Sequence, residues 1–401
     1  MDATLSQNDA LRAAKRFVIL IGIVSLFGDM TYEGARSVVG PYLGTLGASG
    51  AIVGAVAGFA ELAGYGLRLV SGYVGDRTGS YWPVTILGYV INLFAVPLLA
   101  LMGSWEAAVV LIVAERAGRA LRTPTRDAML SEAATQTGAG WAFGLHEALD
   151  STGAIIGPLI VSAVLYAGGS YRAGFGILVI PAVLCIGVLL TARAQFPRPT
   201  QLAAVETLHQ PNRLPARFWI FALASALVGA GYADFSLLAF HFSKTSVVST
   251  PLVPALYALA MAASCIAALA LGRAFDRSGM KVLIPAVAIA AFAAPLAFLG
   301  GPLLVFVGVA LWGVGMAAQE SVMRAIVGTM AAPRRRATAF GIFHTIFGVA
   351  WFGGSTLLGF LYDQSPLLVS IVSVALQLLS LPVFWRLLRA RPGAPMGSGA
   401  P

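Results

Sequence analysis

Charged residues are what this sequence has least of. They make up 11% of its 401 residues, against 58% hydrophobic ones, whereas a water-soluble domain carries roughly 25%. That shortage excludes an ordinary soluble protein, because too few charges remain to cover a water-exposed surface. Cysteine is nearly absent too. Cys185 and Cys265 both fall inside apolar stretches, which argues against a structural disulfide. Neither a Gly-x-x-x-x-Gly-Lys-Ser/Thr phosphate loop nor a His-Glu-x-x-His helix motif occurs, so the signatures of nucleotide-dependent and metalloprotease chemistry are missing. A receptor would usually add a soluble domain, for which the chain leaves no room. A membrane enzyme needs a nucleophile, a base and an orienting group at helical spacing, and none stands out.

Long apolar runs are abundant, and the mean hydropathy is +0.83. A bilayer demands about 20 mostly apolar residues per crossing, each bonding its own backbone as a helix. Runs of that kind are expected at 17–41, 51–73, 83–103, 106–130, 140–166, 172–193, 216–243, 252–273, 282–300, 302–330, 338–361 and 366–388. The fold class is therefore an all-α integral membrane protein of twelve transmembrane helices. Arg12, Lys15 and Arg16 precede a first run longer than a signal-peptide core and without a small-residue cleavage site, so it is expected to persist as a helix.

The net charge of +9 need not mean nucleic acid. Basic residues gather at Arg12/Lys15/Arg16, Arg77, Arg193/Arg198/Arg213/Arg217, Arg273/Arg277/Lys281, Arg334/Arg335/Arg336 and Arg386/Arg389/Arg391, whereas alternate loops hold only Arg172 and Lys244. By the positive-inside rule both termini are expected in the cytoplasm.

The longest polar break, from Arg193 to Arg217, contains Pro197, Pro199, Pro211 and Pro215 and reads as a linker. It divides the chain into a six-helix bundle over 1–193, a linker over 194–215, a second bundle over 216–391 and a tail over 392–401. The two bundles repeat one another. Gly72-x-x-x-Asp76-Arg77-x-Gly79 follows the second span, and Gly272-x-x-x-Asp276-Arg277-x-Gly279 follows the eighth. Arg126 matches Arg324 near the inner ends of the fourth and tenth spans, and Phe143-Gly144 matches Phe340-Gly341. Parallel repeats with a substrate site between them are a known transporter architecture.

On these motifs the sequence resembles the major facilitator superfamily over nearly its whole length. The resemblance implies a 12-helix secondary transporter whose Gly-x-x-x-Asp-Arg-x-Gly loop helps to close the cytoplasmic side. The first copy departs from the family pattern after Gly79, where Ser80-Tyr81 replaces a basic pair. The stretch from Glu115 to Asp127 also looks like a branch of bacterial members. Gly153-x-x-x-Gly157-Pro158 resembles a signature of the proton-antiporting exporters, but small residues four apart also serve plain helix packing.

Charges inside the spans are the main clue to chemistry, since each costs about 2.5–3.5 kcal/mol or more at the bilayer centre. Asp29, Glu33 and Arg36 share one face of the first span. Arg36 can neutralise Glu33, which leaves Asp29 without a cation on its own helix and makes it a candidate proton carrier. Glu115, Arg119, Arg122 and Arg126 form a stripe on the fourth span, with Arg116 beside it. Arg126 and Asp127 are expected at the solvated interface. Arg119 lies deeper and needs either a carboxylate from another helix, such as Glu147 or Asp150, or an anionic substrate. His146, Glu147 and Asp150 sit within one turn of the fifth span, yet their spacing is no recognised zinc pattern. In the second half Asp234 is expected mid-helix without a partner on its helix, and Glu320 and Arg324 as an i,i+4 ion pair.

The expected function is secondary transport of a small organic solute across the bacterial inner membrane by alternating access. Proton-coupled export is favoured, and the alternative is an organic-anion or zwitterion carrier built on arginines. Metal efflux is a more distant reading. Protons and the lipid bilayer are the expected partners, a monomer is favoured over an oligomer, and neither a cofactor nor nucleic acid is expected.

Overall fold

The computed structural model describes residues 7–78, 81–137, 139–197, 214–330 and 336–389. Among these residues the regular structure is helical throughout, with no strand. The helices are α1 (Gln7–Thr45), α2 (Gly50–Thr78), α3 (Tyr81–Leu98), α4 (Trp105–Thr137), α5 (Ala139–Tyr166), α6 (Tyr171–Ile177), α7 (Val179–Gln195) and α8 (Ala216–Gly231). They continue with α9 (Phe235–Thr245), α10 (Leu252–Ser278), α11 (Leu283–Ala290), α12 (Ala293–Leu299), α13 (Pro302–Ala317), α14 (Arg324–Met330), α15 (Arg336–Gln364) and α16 (Pro366–Arg389). An all-helical chain follows from the solvent it must satisfy, because lipid offers backbone groups no partners and each segment must bond itself.

Among the described residues, nine stretches are long and apolar enough to cross a membrane. The longest, Leu252–Leu299, contains both the eighth and the ninth expected spans. The first and fourth expected spans are helical as α1 and α4, yet they are not among the nine. Both carry several charged side chains, and composition alone scores against them.

Several expected spans are not single helices. The sixth is split into α6 and α7 at Leu178, and the ninth into α11 and α12 around Ala291 and Phe292. The seventh is interrupted between α8 and α9 at Tyr232–Asp234, and the tenth carries a π-helical turn, Ala318–Met323, between α13 and α14. At Leu178 and at Ala291–Phe292 backbone hydrogen bonds bridge the junction, whereas the break at Tyr232–Asp234 frees carbonyls that side chains satisfy.

The helices fall into two compact units. One contains α1, α3 to α7, the later part of α2 from Ala63 and the segment Ser249–Ala258. Its apolar core includes Phe17, Trp82, Tyr89, Leu93 and Leu189. Phe17 meets Trp82 and Phe196 edge to face, and the Trp82 indole N–H donates to the Phe196 carbonyl at 2.9 Å. The other unit contains Ala48–Leu62 and the remaining helices. There Gly54 lies directly against the Ser355 backbone and Gly359, and Asp363 caps the first turn of α2 by accepting from Gly50 N and Ala51 N at 2.8 and 2.9 Å. This cap supplies acceptors to amides that a helix N-terminus otherwise leaves unpaired.

Candidate functional site

The buried charges of the first unit converge because two of its helices come unusually close. Gly153 and Gly157 on α5 face α1, and a Cβ at either position would run into the carbonyl of Leu26 or Met30. Only hydrogen in place of a side chain permits this approach. The approach sets Asp150, one turn before Gly153, beside Asp29 on α1, and the two carboxyl groups are in hydrogen-bonding reach of each other. Ser25, one turn before Asp29, donates its hydroxyl to Asp150 at 2.6 Å. Asp29 is 2% exposed. The packing motif and the acid pair are thus one construction.

α4 supplies the cations. Arg122, 1% exposed, approaches Asp29 at 3.9 Å and lies over the Tyr89 ring at 4.3 Å. Arg119 stacks over Tyr32 at 4.2 Å, and such cation–π placement suits a guanidinium removed from water. Arg126 donates to Asp127 at 2.8 and 2.9 Å and to Ser25 at 3.3 Å. It is buried, against the expectation of a solvated interface position. Arg126 is drawn toward α1 through Ser25, while Asp127 stays half-exposed.

A second cluster lies one turn along α1. Glu33 accepts a hydrogen bond from Tyr257 of α10, with Arg36 and Arg116 close by. Glu115 accepts from the Asn92 amide at 2.7 Å and pairs with Arg116 at 3.4 Å. Glu33, Arg36, Glu115 and Arg116 are all buried.

The expected residues therefore separate into groups. Asp29, Glu33, Arg36, Glu115, Arg119 and Asp150 come together in the first unit. Glu147 does not join them at the acid pair. It is exposed, whereas its neighbour His146 is buried, because adjacent residues on a helix point about 100° apart. Among the described residues no group of three or more His, Cys, Asp or Glu is arranged to hold a metal. Asp234 is not in the middle of a helix. It is the N-cap of α9, accepting from Ser236 N at 2.8 Å, because the chain breaks at Tyr232–Asp234. Glu320 and Arg324 pair at 3.7 Å with both side chains about half exposed. In the repeated motif, Asp276 and Arg277 are exposed at the end of α10, and Gly279 has φ +60°, a left-handed turn that suits glycine. Gly272 has open space around it. Gly79 lies outside the described residues, as do the side chains of Asp76 and Arg77 and the surroundings of Gly72. Pro158 lies within α5, next to the close approach at Gly157.

Four participants had no expected role: Ser25, Tyr89, Asn92 and Tyr257. Asn92 carried a signal, as an amide in the midst of an apolar run. The other three are ordinary residues in helices and become legible only once their neighbours are known.

Residues 19–355 match the family description of the Major Facilitator Superfamily. The chain belongs to this superfamily. It is a multi-pass membrane transporter and not an enzyme. An uncharacterized protein of Mycobacterium tuberculosis is 40% identical over 403 residues, covering 98% of each chain. An uncharacterized MFS-type transporter of Methanocaldococcus jannaschii is 28% identical over 392 residues, 94% of this chain and 95% of its own. Among solved structures, the nucleoside transporter NupG superposes with a TM-score of 0.74 at 16% identity, over 94% of this chain and 100% of its own. A peptide transporter POT in complex with sulfate superposes with a TM-score of 0.74 at 14% identity, over 93% of this chain and 94% of its own. At such identities these likenesses establish the fold alone.

Proposed function

We propose that this transporter is a proton-coupled exporter of a small organic solute, working by alternating access across the bacterial inner membrane with both termini in the cytoplasm. What supports the proton coupling is the contact between the Asp29 and Asp150 carboxyl groups. Two carboxylates at hydrogen-bonding distance repel, and one proton held between them turns that repulsion into a bond. Arg122 then balances the single negative charge that remains, while Arg126 is paired with Asp127. Losing the proton restores the repulsion and strengthens the pull of each carboxylate on a cationic partner. A solute that competes with the proton for this pair would be exchanged against it. The orientation rests on the basic clusters between alternate spans. The direction rests on the resemblance of Gly153-x-x-x-Gly157-Pro158 to the exporter signature, now joined to the acid pair by packing.

Purified protein in liposomes enclosing a pH-sensitive dye tests this reading. Under an imposed proton gradient, a screen of solute classes should find one that drives proton movement, and Asp29→Asn should abolish it. Solute flux with no proton movement in the unsubstituted protein would overturn the proposal.

One observation favours a second reading, an organic-anion or zwitterion carrier. Arg122 Nε and Nη1 are buried without a hydrogen-bond partner among the described residues. A guanidinium fork suits a carboxylate or phosphate bidentately, and lysine cannot replace it. On this reading Arg122→Lys, and likewise Arg119→Lys, weakens binding of anionic solutes at least about tenfold, a loss of 1.4 kcal/mol. Unchanged affinity in both variants would remove the anion reading.

A further inference from the structure

Tyr257 takes no part in the acid pair, yet it donates a hydrogen bond into the second cluster. It lies in the second turn of α10, within Ser249–Ala258, which packs with the first unit while the rest of the helix packs with the second. Two polar contacts seat this turn. Ser162 of α5 donates to the Pro251 carbonyl at 2.6 Å, and Tyr257 donates to Glu33 of α1. Tyr257 is 0% exposed and Glu33 6%, so water does not compete for the bond.

These contacts respond differently to a proton. A hydroxyl bonded to a peptide carbonyl has no titrating partner. A hydroxyl bonded to a carboxylate makes a charge-assisted bond roughly twice as strong as its neutral counterpart. The charged and titratable groups that face Glu33 and Tyr257 are Arg36 and Tyr32 of α1 and Arg116 and Arg119 of α4, with Glu115 paired to Arg116. Asp29 of α1 and Asp150 of α5 lie one turn away, beside Tyr32.

We propose that Tyr257 is a positioning residue that reports the protonation of Glu33 to α10. Ionised Glu33 holds the first turns of α10 through the Tyr257 hydroxyl, and protonated Glu33 releases them. A single unbroken helix then carries the event from the acid cluster along Leu252–Ser278. The proposal rests on the proton-coupled reading above, because it takes the acid cluster of the first unit as the place where protons exchange.

The test needs no substrate. Tyr166 at the end of α5 is 85% exposed, and Thr250 just before α10 is also exposed. Nitroxide labels on Tyr166→Cys and Thr250→Cys, in protein lacking Cys185 and Cys265, report the distance between these points by pulsed dipolar spectroscopy on samples frozen at acidic and basic pH. With Tyr257 and Glu33 intact, the ratio of the short-distance to the long-distance population should rise about tenfold from acid to base, equivalent to 1.4 kcal/mol. Tyr257→Phe should erase that dependence while leaving proton movement across the membrane measurable. Glu33→Gln, which keeps an acceptor for Tyr257 but cannot titrate, should erase it as well. If the intact protein shows the pH dependence and both variants retain it, the proposal is overturned while the proton-coupled reading stands. If the intact protein shows no pH dependence and also moves no protons in the liposome screen, both fall together.

Discussion

The two units bury different kinds of side chain. In the first, buried side chains include Asp29, Glu33, Arg36, Glu115, Arg122 and Arg126. In the second, the buried acidic or imidazole residues among those described are Asp234 and His241, and the other buried polar side chains are Ser, Gln and Tyr groups. The second unit uses its polar groups to repair its own broken helices. Ser373 and Gln377 donate to the carbonyl of Gly231 at 2.6 and 3.2 Å, and the Trp312 indole donates to the Ala233 carbonyl at 2.8 Å. Around that break Tyr232 stacks on Trp312 with centroids 5.2 Å apart, and Trp351 lies 5.4 Å from Tyr232. Membership of one fold therefore does not dictate one kind of interior: the first unit concentrates charge, and the second concentrates aromatic and amide groups.

The comparison can be broken by substitutions in either unit. The largest effect is expected for Arg122→Ala, which leaves a buried acid without its cation. Loss of one partner of a buried pair costs about 3–5 kcal/mol, so thermal unfolding in detergent should show a strongly destabilised protein. Gly157→Leu comes next. It forces α1 and α5 apart, with an overpacking cost of about 1–3 kcal/mol, and should also abolish substrate-driven proton movement. A variant as stable and as active as the parent would mean that the close approach is not what builds the acid pair. Asp234→Ala removes only a helix cap, for about 1 kcal/mol, and should leave proton movement intact. Lost coupling at normal stability would make Asp234 a proton site and erase the contrast between the units. The smallest effect belongs to Glu320→Gln, because exposed ion pairs contribute about 0–1 kcal/mol, and melting temperature should hardly change.

The membrane class and the family were legible because lipid imposes a strong and simple pattern on sequence. The charges on the first and fourth spans were legible for the same reason, since a charge in an apolar run needs an explanation. Their partners were less so. Asp29 looked devoid of a cation on its own helix, and its cation comes from α4 through Arg122. Arg126 looked solvated, and packing buried it. Helical periodicity gives the face a residue occupies but not which helix covers that face. Asp234 was misplaced because no proline marks the break, and Gly229 and Gly231 at the end of α8 are a weak stop signal where glycine is common in membrane helices. The break depends on Ser373, Gln377 and Trp312 satisfying the freed carbonyls, and those residues are distant in sequence.

The central claim is that the Asp29 and Asp150 carboxyls share an exchangeable proton. Infrared difference spectroscopy of the purified protein between acidic and basic pH measures it directly, through the carbonyl stretch of a protonated carboxylic acid. The account predicts a pH-dependent band that disappears in both Asp29→Asn and Asp150→Asn and survives in Glu320→Gln. A band that persists unchanged in both aspartate variants would contradict it.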